Sequence, residues 1–277
     1  MPSPDDLDST KLRLRKPAIR QRDIPKEVRS ALNQGLIPTK NLVEWLATDR
    51  PRLLQHVLEG WQWTDLLAEC RRALKELEKP SALRQSFAIG RTLARHIRHQ
   101  DPRFASLTQH PSDIVREWSA VMVGAWTDMP FKKRLPWIKP MADDENAGLR
   151  ELAWMAMRHH LANDLGTAIA DLIPWTGSRS ERLRRFASEV TRPCGVWCAH
   201  LPQLKQDPAP GLLVLEPLRA DTAKYVRDSV ANWLNDASKS QPDWVRAVAD
   251  RWRRDSPCAE TEAILNRALR TLQKGKG

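Results

Sequence analysis

From Ile24 onward, apolar positions return at three- and four-residue intervals and are interrupted at short range by Pro, Gly and Asp. The segments Asn41-Leu42-Val43-Glu44-Trp45-Leu46 and Leu53-Leu54-Gln55-His56-Val57-Leu58 show this, as does Leu66-Leu67-Ala68 with Ala73, Leu74 and Leu77. Such spacing places the apolar side chains on one stripe and predicts a succession of short amphipathic helices. The Trp and Leu on these stripes read as interhelix core.

A longer period lies over the short one. Val115–Val121, Leu149–Met155, Leu183–Glu189 and Val226–Asn232 share one order: aliphatic, Arg, charged, variable, then small or branched. The Arg positions 116, 150, 184 and 227 step by 34, 34 and 43 residues, in or near the range of two-helix solenoid repeats. The preceding helix recurs too. Leu172-Ile173-Pro174-Trp175 and Leu215-Glu216-Pro217-Leu218 each end eight residues before the next Arg-bearing unit, and Leu135-Pro136-Trp137 is a third copy with a longer turn. The run Gly211 to Leu215 looks like a strand in isolation, but the repeat register makes it helical.

The expected fold is therefore all-α, a HEAT-like helical repeat superhelix (an α-α solenoid) with the Arg-bearing helices lining a concave face where a ligand should lie. The pattern predicts a single domain over 24–277, its clearest repeats at 111–254. Residues 1–23 mix Pro, Asp and Ser with Lys11, Arg13, Arg15, Lys16, Arg20 and Arg22 and read as a flexible basic arm.

Composition sharpens the partner class. Only 11 Gly among 277 residues suits helices, and the net charge of +11 with a pI near 9.9 points to a polyanion, either nucleic acid or an anionic membrane. No run approaches the roughly 18 apolar residues of a membrane span, and Met1 to Lys26 lacks the apolar stretch of a signal peptide. The expectation is a soluble cytoplasmic monomer that associates with the nucleoid through DNA rather than with a membrane. Cys70, Cys194, Cys198 and Cys258 are too sparse for a disulfide framework. Cys194, Cys198 and His200 stand close together, but a structural zinc needs four ligands, so neither a metal nor a cofactor is expected.

The unusual chemistry sits on the third and fourth Arg-bearing helices. Glu189 takes the seventh position of its unit, where the other copies have Val121, Met155 and Asn232. A carboxylate on a packed helix is costly unless it is paired or functional. The stretch Arg184-Arg185-Phe186-Ala187-Ser188-Glu189, then Thr191-Arg192-Pro193 with Trp197, then Tyr225-Val226-Arg227, Ser229 to Asn232 and Leu234-Asn235-Asp236 resembles the HEAT-repeat alkylpurine DNA glycosylases, the AlkC branch more than the AlkD branch. The terminal Arg267 to Leu272 also looks like that family's last helix. Val190 departs from the family, which usually has Gly there; residues before about His110 do not look like its N-terminal helices, and no appended immunoglobulin-like domain is seen.

The resemblance implies an alkylation-repair glycosylase that hydrolyses the N-glycosidic bond of N3- or N7-methylpurines in duplex DNA, with 3-methylcytosine a further candidate, and without full base flipping. It makes Glu189 and Asp236 the catalytic carboxylates and Glu151 a third. Trp197 and Asn232 would meet the lesion, while Arg185, Arg192 and Arg227 would grip phosphates. The alternative is a non-catalytic DNA-binding HEAT protein in which Glu189 and Asp236 are ion-pair partners of Arg185, Arg192 or Arg227.

Overall fold

The computed structural model describes residues 11–195 and 197–274. All regular elements among them are helical, so the run from Gly211 to Leu215 is helix rather than strand: a 3-10 turn over Ala209–Gly211 leads into Leu212–Leu215. Gly211 sits here because a Cβ would stand 2.2 Å from the Trp233 ring.

The chain's contacts group into two compact units where the sequence pattern suggested one domain. The first runs to Met129 and includes Pro136–Ala156, and the second takes Pro130–Leu135 with everything from Met157 onward. In the first unit the helices are α1 (Lys26–Asn33), α2 (Leu42–Ala47), α3 (Arg50–Gly60), α4 (Thr64–Lys75), α5 (Ala82–Ala94), α6 (Pro102–Thr108) and α7 (Asp113–Ala125). Helices α8 (Phe131–Ala142) and α9 (Ala147–Asn163) cross the division. The second unit continues with α10 (Leu165–Thr176), α11 (Glu181–Val190), α12 (Pro202–Gln206), α13 (Leu212–Leu215), α14 (Lys224–Ala237), α15 (Pro242–Asp255), α16 (Ala259–Ala268) and α17 (Arg270–Lys274). Side-chain caps set several starts: Asn41, Asp49, Ser81, Asp101, Asp164 and Ser180 each accept a bond from a backbone N–H of the first turn.

In the first unit α5 packs between α4 and α7; in the second α14 packs between α11 and α16. Trp118, Trp126, Trp154, Trp233 and Trp252 are fully buried, and Trp45, on one of the apolar stripes read as core, is buried too. Trp233 also donates its Nε1–H to the Thr191 carbonyl at 3.0 Å, tying α14 to the end of α11. Truncating such a side chain to Ala costs roughly 3–5 kcal/mol.

The repeated arginine has a structural reason. In all four copies Nη1 donates to the carbonyls six and five residues earlier: His110 and Pro111 for Arg116, Asp144 and Glu145 for Arg150, Ser178 and Arg179 for Arg184, Asp221 and Thr222 for Arg227. Each guanidinium thus closes the turn that leads into its own helix. Arg116 also pairs two nitrogens with Asp144, both at 3.1 Å, and Arg184 does the same with Asp221 at 2.6 and 2.9 Å. These forks staple one repeat to the next turn within the same unit.

The flexible basic arm is expected over 1–23. Residues 1–10 lie outside the described residues. Beyond them, Leu12 and Ala18 pack on the cluster of Ile24, Val28, Ala31, Leu32 and Ile37. Arg15 forks onto the buried Glu44 at 3.1 and 2.6 Å and reaches the Pro38 carbonyl at 2.8 Å. Reading the segment as charge alone overlooked two apolar anchors and a carboxylate 29 residues away.

Candidate active site

Helix α11 starts at the Ser180 cap and turns Leu183, Phe186, Ala187 and Val190 inward. That register also buries Glu189, 2% exposed. On α14 the inward positions include Val226, Val230, Trp233 and Ala237, and the same face takes in Asp236, 5% exposed. A bond from the Ser229 hydroxyl to the Ser188 hydroxyl at 3.0 Å and the Trp233 to Thr191 bond fix the two helices against each other. Two carboxylates 47 residues apart in sequence thereby share one neighbourhood.

Arg192 joins them. Its Nη1 donates to Glu189 Oε2 at 3.0 Å, while Nε and Nη2 both donate to Asp236 Oδ2 at 2.9 and 2.7 Å. The outer oxygens are covered as well: Arg185 Nη2 lies 3.3 Å from Glu189 Oε1, and Lys239 Nζ donates to Asp236 Oδ1 at 3.0 Å. All four carboxylate oxygens therefore face cations, which is what allows two acids to be buried together. Burial pulls the Arg192 guanidinium down, and the two carboxylates more than offset this, leaving it above the usual arginine range.

The loop after α11 presents Trp197 to solvent, 63% exposed, with φ at 61°. A bulky residue in the left-handed region costs about 1–2 kcal/mol and persists only where its surroundings hold it. The hold is visible at the loop's ends. Leu201 N–H donates to the Pro193 carbonyl at 2.9 Å. The buried Arg158 donates Nε and Nη2 to the Ala199 carbonyl at 3.2 and 2.9 Å, and Nη1 to the Val190 carbonyl at 3.1 Å. Gly195 lies beneath, where a Cβ would stand 2.1 Å from Cys198 Sγ and 3.1 Å from the Arg158 guanidinium. Arg158 thus ties the loop bearing Trp197 to the end of the helix bearing Glu189.

The other predicted residues fall in different places. Arg185 stacks its guanidinium 4.4 Å over the Tyr225 ring, and with Arg192 it faces the buried carboxylates. Arg227 is a turn-closing residue of the repeat, so its assigned phosphate contact does not follow from the fold. Asn232 Oδ1 accepts from Arg267 Nε at 3.3 Å and Arg270 Nη2 at 3.2 Å. Glu151 belongs to the first unit, accepts from Trp154 Nε1 at 2.9 Å, and its catalytic reading stays with the resemblance alone. Arg158 and Lys239 were missed. Lys239 was legible at the edge of the quoted motif, whereas Arg158 reaches a carbonyl 41 residues away.

Cys194 and Cys198 flank the Trp197 loop with their thiols pushed up by burial. Among the described residues no group of three or more His, Cys, Asp or Glu is placed to hold a metal ion. Nor is any described helix long and apolar enough to cross a membrane.

No protein-family profile matches the chain. A 119-residue stretch is 45% identical to the uncharacterized protein YhaZ of Bacillus subtilis, covering 43% of this chain and 33% of that protein. Among solved structures the chain is similar to Pseudomonas fluorescens alkylpurine DNA glycosylase AlkC bound to DNA containing an abasic site analog. That match has TM-score 0.65 and 27% identity, over 81% of this chain and 61% of AlkC. AlkD2 from Streptococcus mutans matches with TM-score 0.57 and 22% identity, over 74% of this chain and 97% of AlkD2. Also from Streptococcus mutans, smu.31 matches with TM-score 0.52 and 20% identity, over 79% of this chain and 98% of that chain. The chain's structural neighbours are thus AlkC- and AlkD-type helical-repeat proteins, as its motifs anticipated. It spans about a third of the curated relative and about three-fifths of AlkC.

Proposed function

We propose that this chain is a DNA glycosylase acting on cationic alkylated bases, N3- and N7-methylpurines first and 3-methylcytosine as a further candidate, in duplex DNA for base excision repair. The observation that carries the reading is the buried Glu189–Arg192–Asp236 bridge beside an exposed Trp197 held at positive φ, in a chain that is 27% identical to the alkylpurine glycosylase AlkC over most of its length.

The chemistry fits the residues. A methylated base such as N3-methyladenine already carries positive charge, so it leaves without a proton from the protein. Glu189 and Asp236 accept from Arg192 and Lys239 and lie beside Arg185, so the site gathers acceptors rather than donors, which suits a leaving group that needs no proton. Developing positive charge on the sugar is what fixed carboxylates stabilise, and either one can orient the attacking water. The Trp197 indole offers its ring face to the cationic base or sugar, an attraction of roughly 0.5–2 kcal/mol. Action on a base left largely in the helix agrees with a solvent-exposed indole rather than a recognition pocket.

A second reading has its own observation. Four carboxylate oxygens matched by cations also describe a structural ion network in a non-catalytic DNA-binding protein. Incubating methylated duplex DNA with the purified protein and measuring free bases by mass spectrometry separates the two. Release of 3-methyladenine or 7-methylguanine supports the glycosylase; DNA binding with no base released from any alkylated duplex supports the second reading.

A further inference from the structure

Along α14, Asp228, Asn232 and Asp236 recur every four residues and so share one face. Arg267, near the end of α16, sets Nη1 on Asp228 Oδ1 at 2.9 Å and Nε on Asn232 Oδ1 at 3.3 Å. Arg270, which opens α17, sets Nη2 on the same Asn232 oxygen at 3.2 Å and Nη1 on the Arg267 carbonyl at 2.8 Å. Two guanidinium groups are thus held side by side on one neutral amide oxygen. Burial, Arg267 and Arg192 hold Arg270 below the usual arginine range, against the pull of Asp236. Like charges crowded in this way favour an incoming anion.

The surrounding charge extends the pattern. Six cations (Arg185, Arg192, Lys224, Lys239, Arg267 and Arg270) pair among three acids (Glu189, Asp228 and Asp236) or with Asn232. The face is net positive and continuous with the candidate active site. From Lys224 to Asp236 the helix rises about 18 Å at 1.5 Å per residue, roughly five nucleotide steps of one DNA strand at 3.4 Å each.

We propose that Arg267 and Arg270 form a clamp for consecutive backbone phosphates of duplex DNA, oriented by Asn232, that seats a strand beside Glu189 and Asp236. The planar guanidinium fork matches phosphate oxygens in a way that an ammonium does not. Asn232 then positions the clamp instead of touching the lesion. The clamp rests on the proposed DNA-glycosylase reading for its place in the reaction, though its anion binding does not depend on the chemistry.

The test is binding of the full chain to undamaged duplex DNA across a salt series, read by fluorescence anisotropy. For Arg267→Ala/Arg270→Ala the expected result is at least tenfold weaker binding near 0.1 M salt and a log–log salt slope shallower by about 2. Asn232→Asp places a carboxylate between the two guanidinium groups while removing neither, and should weaken binding in the same direction; it serves as the second variant if the double substitution fails to fold. Unchanged affinity and slope in a folded variant overturn the clamp. So does a loss confined to phosphatidylserine vesicles with duplex binding intact, which would assign the face to a membrane. Because the slope is read on undamaged DNA, a wild-type protein that releases no base refutes the glycosylase and leaves the clamp standing, while base release with an unchanged slope refutes the clamp alone.

Discussion

Arg192 turns two nitrogens onto a single oxygen of Asp236, at 2.9 and 2.7 Å, and still reaches Glu189 with the third. A guanidinium suits this task, with three nitrogens spread over a rigid plane where an ammonium has one. The bridge is at once a structural element and the device that sets the two carboxylates relative to each other.

Removing it leaves buried acids with too few partners. Arg192→Ala is expected to destabilise the second unit by about 3–5 kcal/mol, and Arg192→Lys by less, because a lysine replaces only part of the fork. Urea unfolding monitored by circular dichroism measures both. A cost under about 1 kcal/mol for the alanine variant would show that the acids do not depend on the bridge.

Trp197 predicts opposite movements of stability and activity. Glycine accepts φ near 60° without strain, so Trp197→Gly should leave the melting temperature unchanged or raised, since the left-handed indole costs about 1–2 kcal/mol. Base release should fall roughly tenfold with the loss of the ring face. A variant that melts earlier would mean that the indole packs to stabilise the loop.

The first unit carries a pH signature. Burial, reinforced by Asp113 and opposed by Arg50, pushes the Glu117 carboxyl up to about 8 from an ordinary value of 4.5. Burial, with Arg116 and His56, pushes His110 down to about 4 from 6.5. A raised acid contributes stability that is lost as pH rises through its folded value; a depressed histidine contributes stability that is lost as pH falls. The two slopes cancel between about 4.5 and 6.5. From 6.5 to 8 Glu117 alone lowers stability by about 2 kcal/mol at one proton, and Asp113, whose carboxyl burial also pushes up, acts in the same direction. Thermal melts across that range should show the decline in the wild type and a clearly shallower one in Glu117→Gln. A wild-type profile already flat from 6.5 to 8 would contradict the buried neutral acid.

The repeat was legible because each copy needs the same arginine for the same task, closing the turn five and six residues back, so selection for one local bond leaves a period in the sequence. Glu189 was legible for the converse reason, because it breaks the apolar pattern that Val121 and Met155 keep, whereas Asp236 was named only through the family resemblance. What charge could not reveal was who holds whom. Arg185, Arg192 and Arg227 read as phosphate contacts, and nothing in the sequence signalled that two of them also face carboxylates and the third closes a turn through carbonyls. Arg15 with Glu44 and Arg158 with Ala199 are long-range partners with no local spacing to betray them, and so the segment after Lys11 read as a free arm.

The central claim is that Glu189 and Asp236 perform chemistry on DNA, and single-turnover release of 3-methyladenine from methylated duplex DNA tests it most directly. Glu189→Gln and Asp236→Asn should each slow release at least 100-fold, with affinity for the duplex kept within about threefold. Release at the wild-type rate by folded forms of both variants would contradict the account.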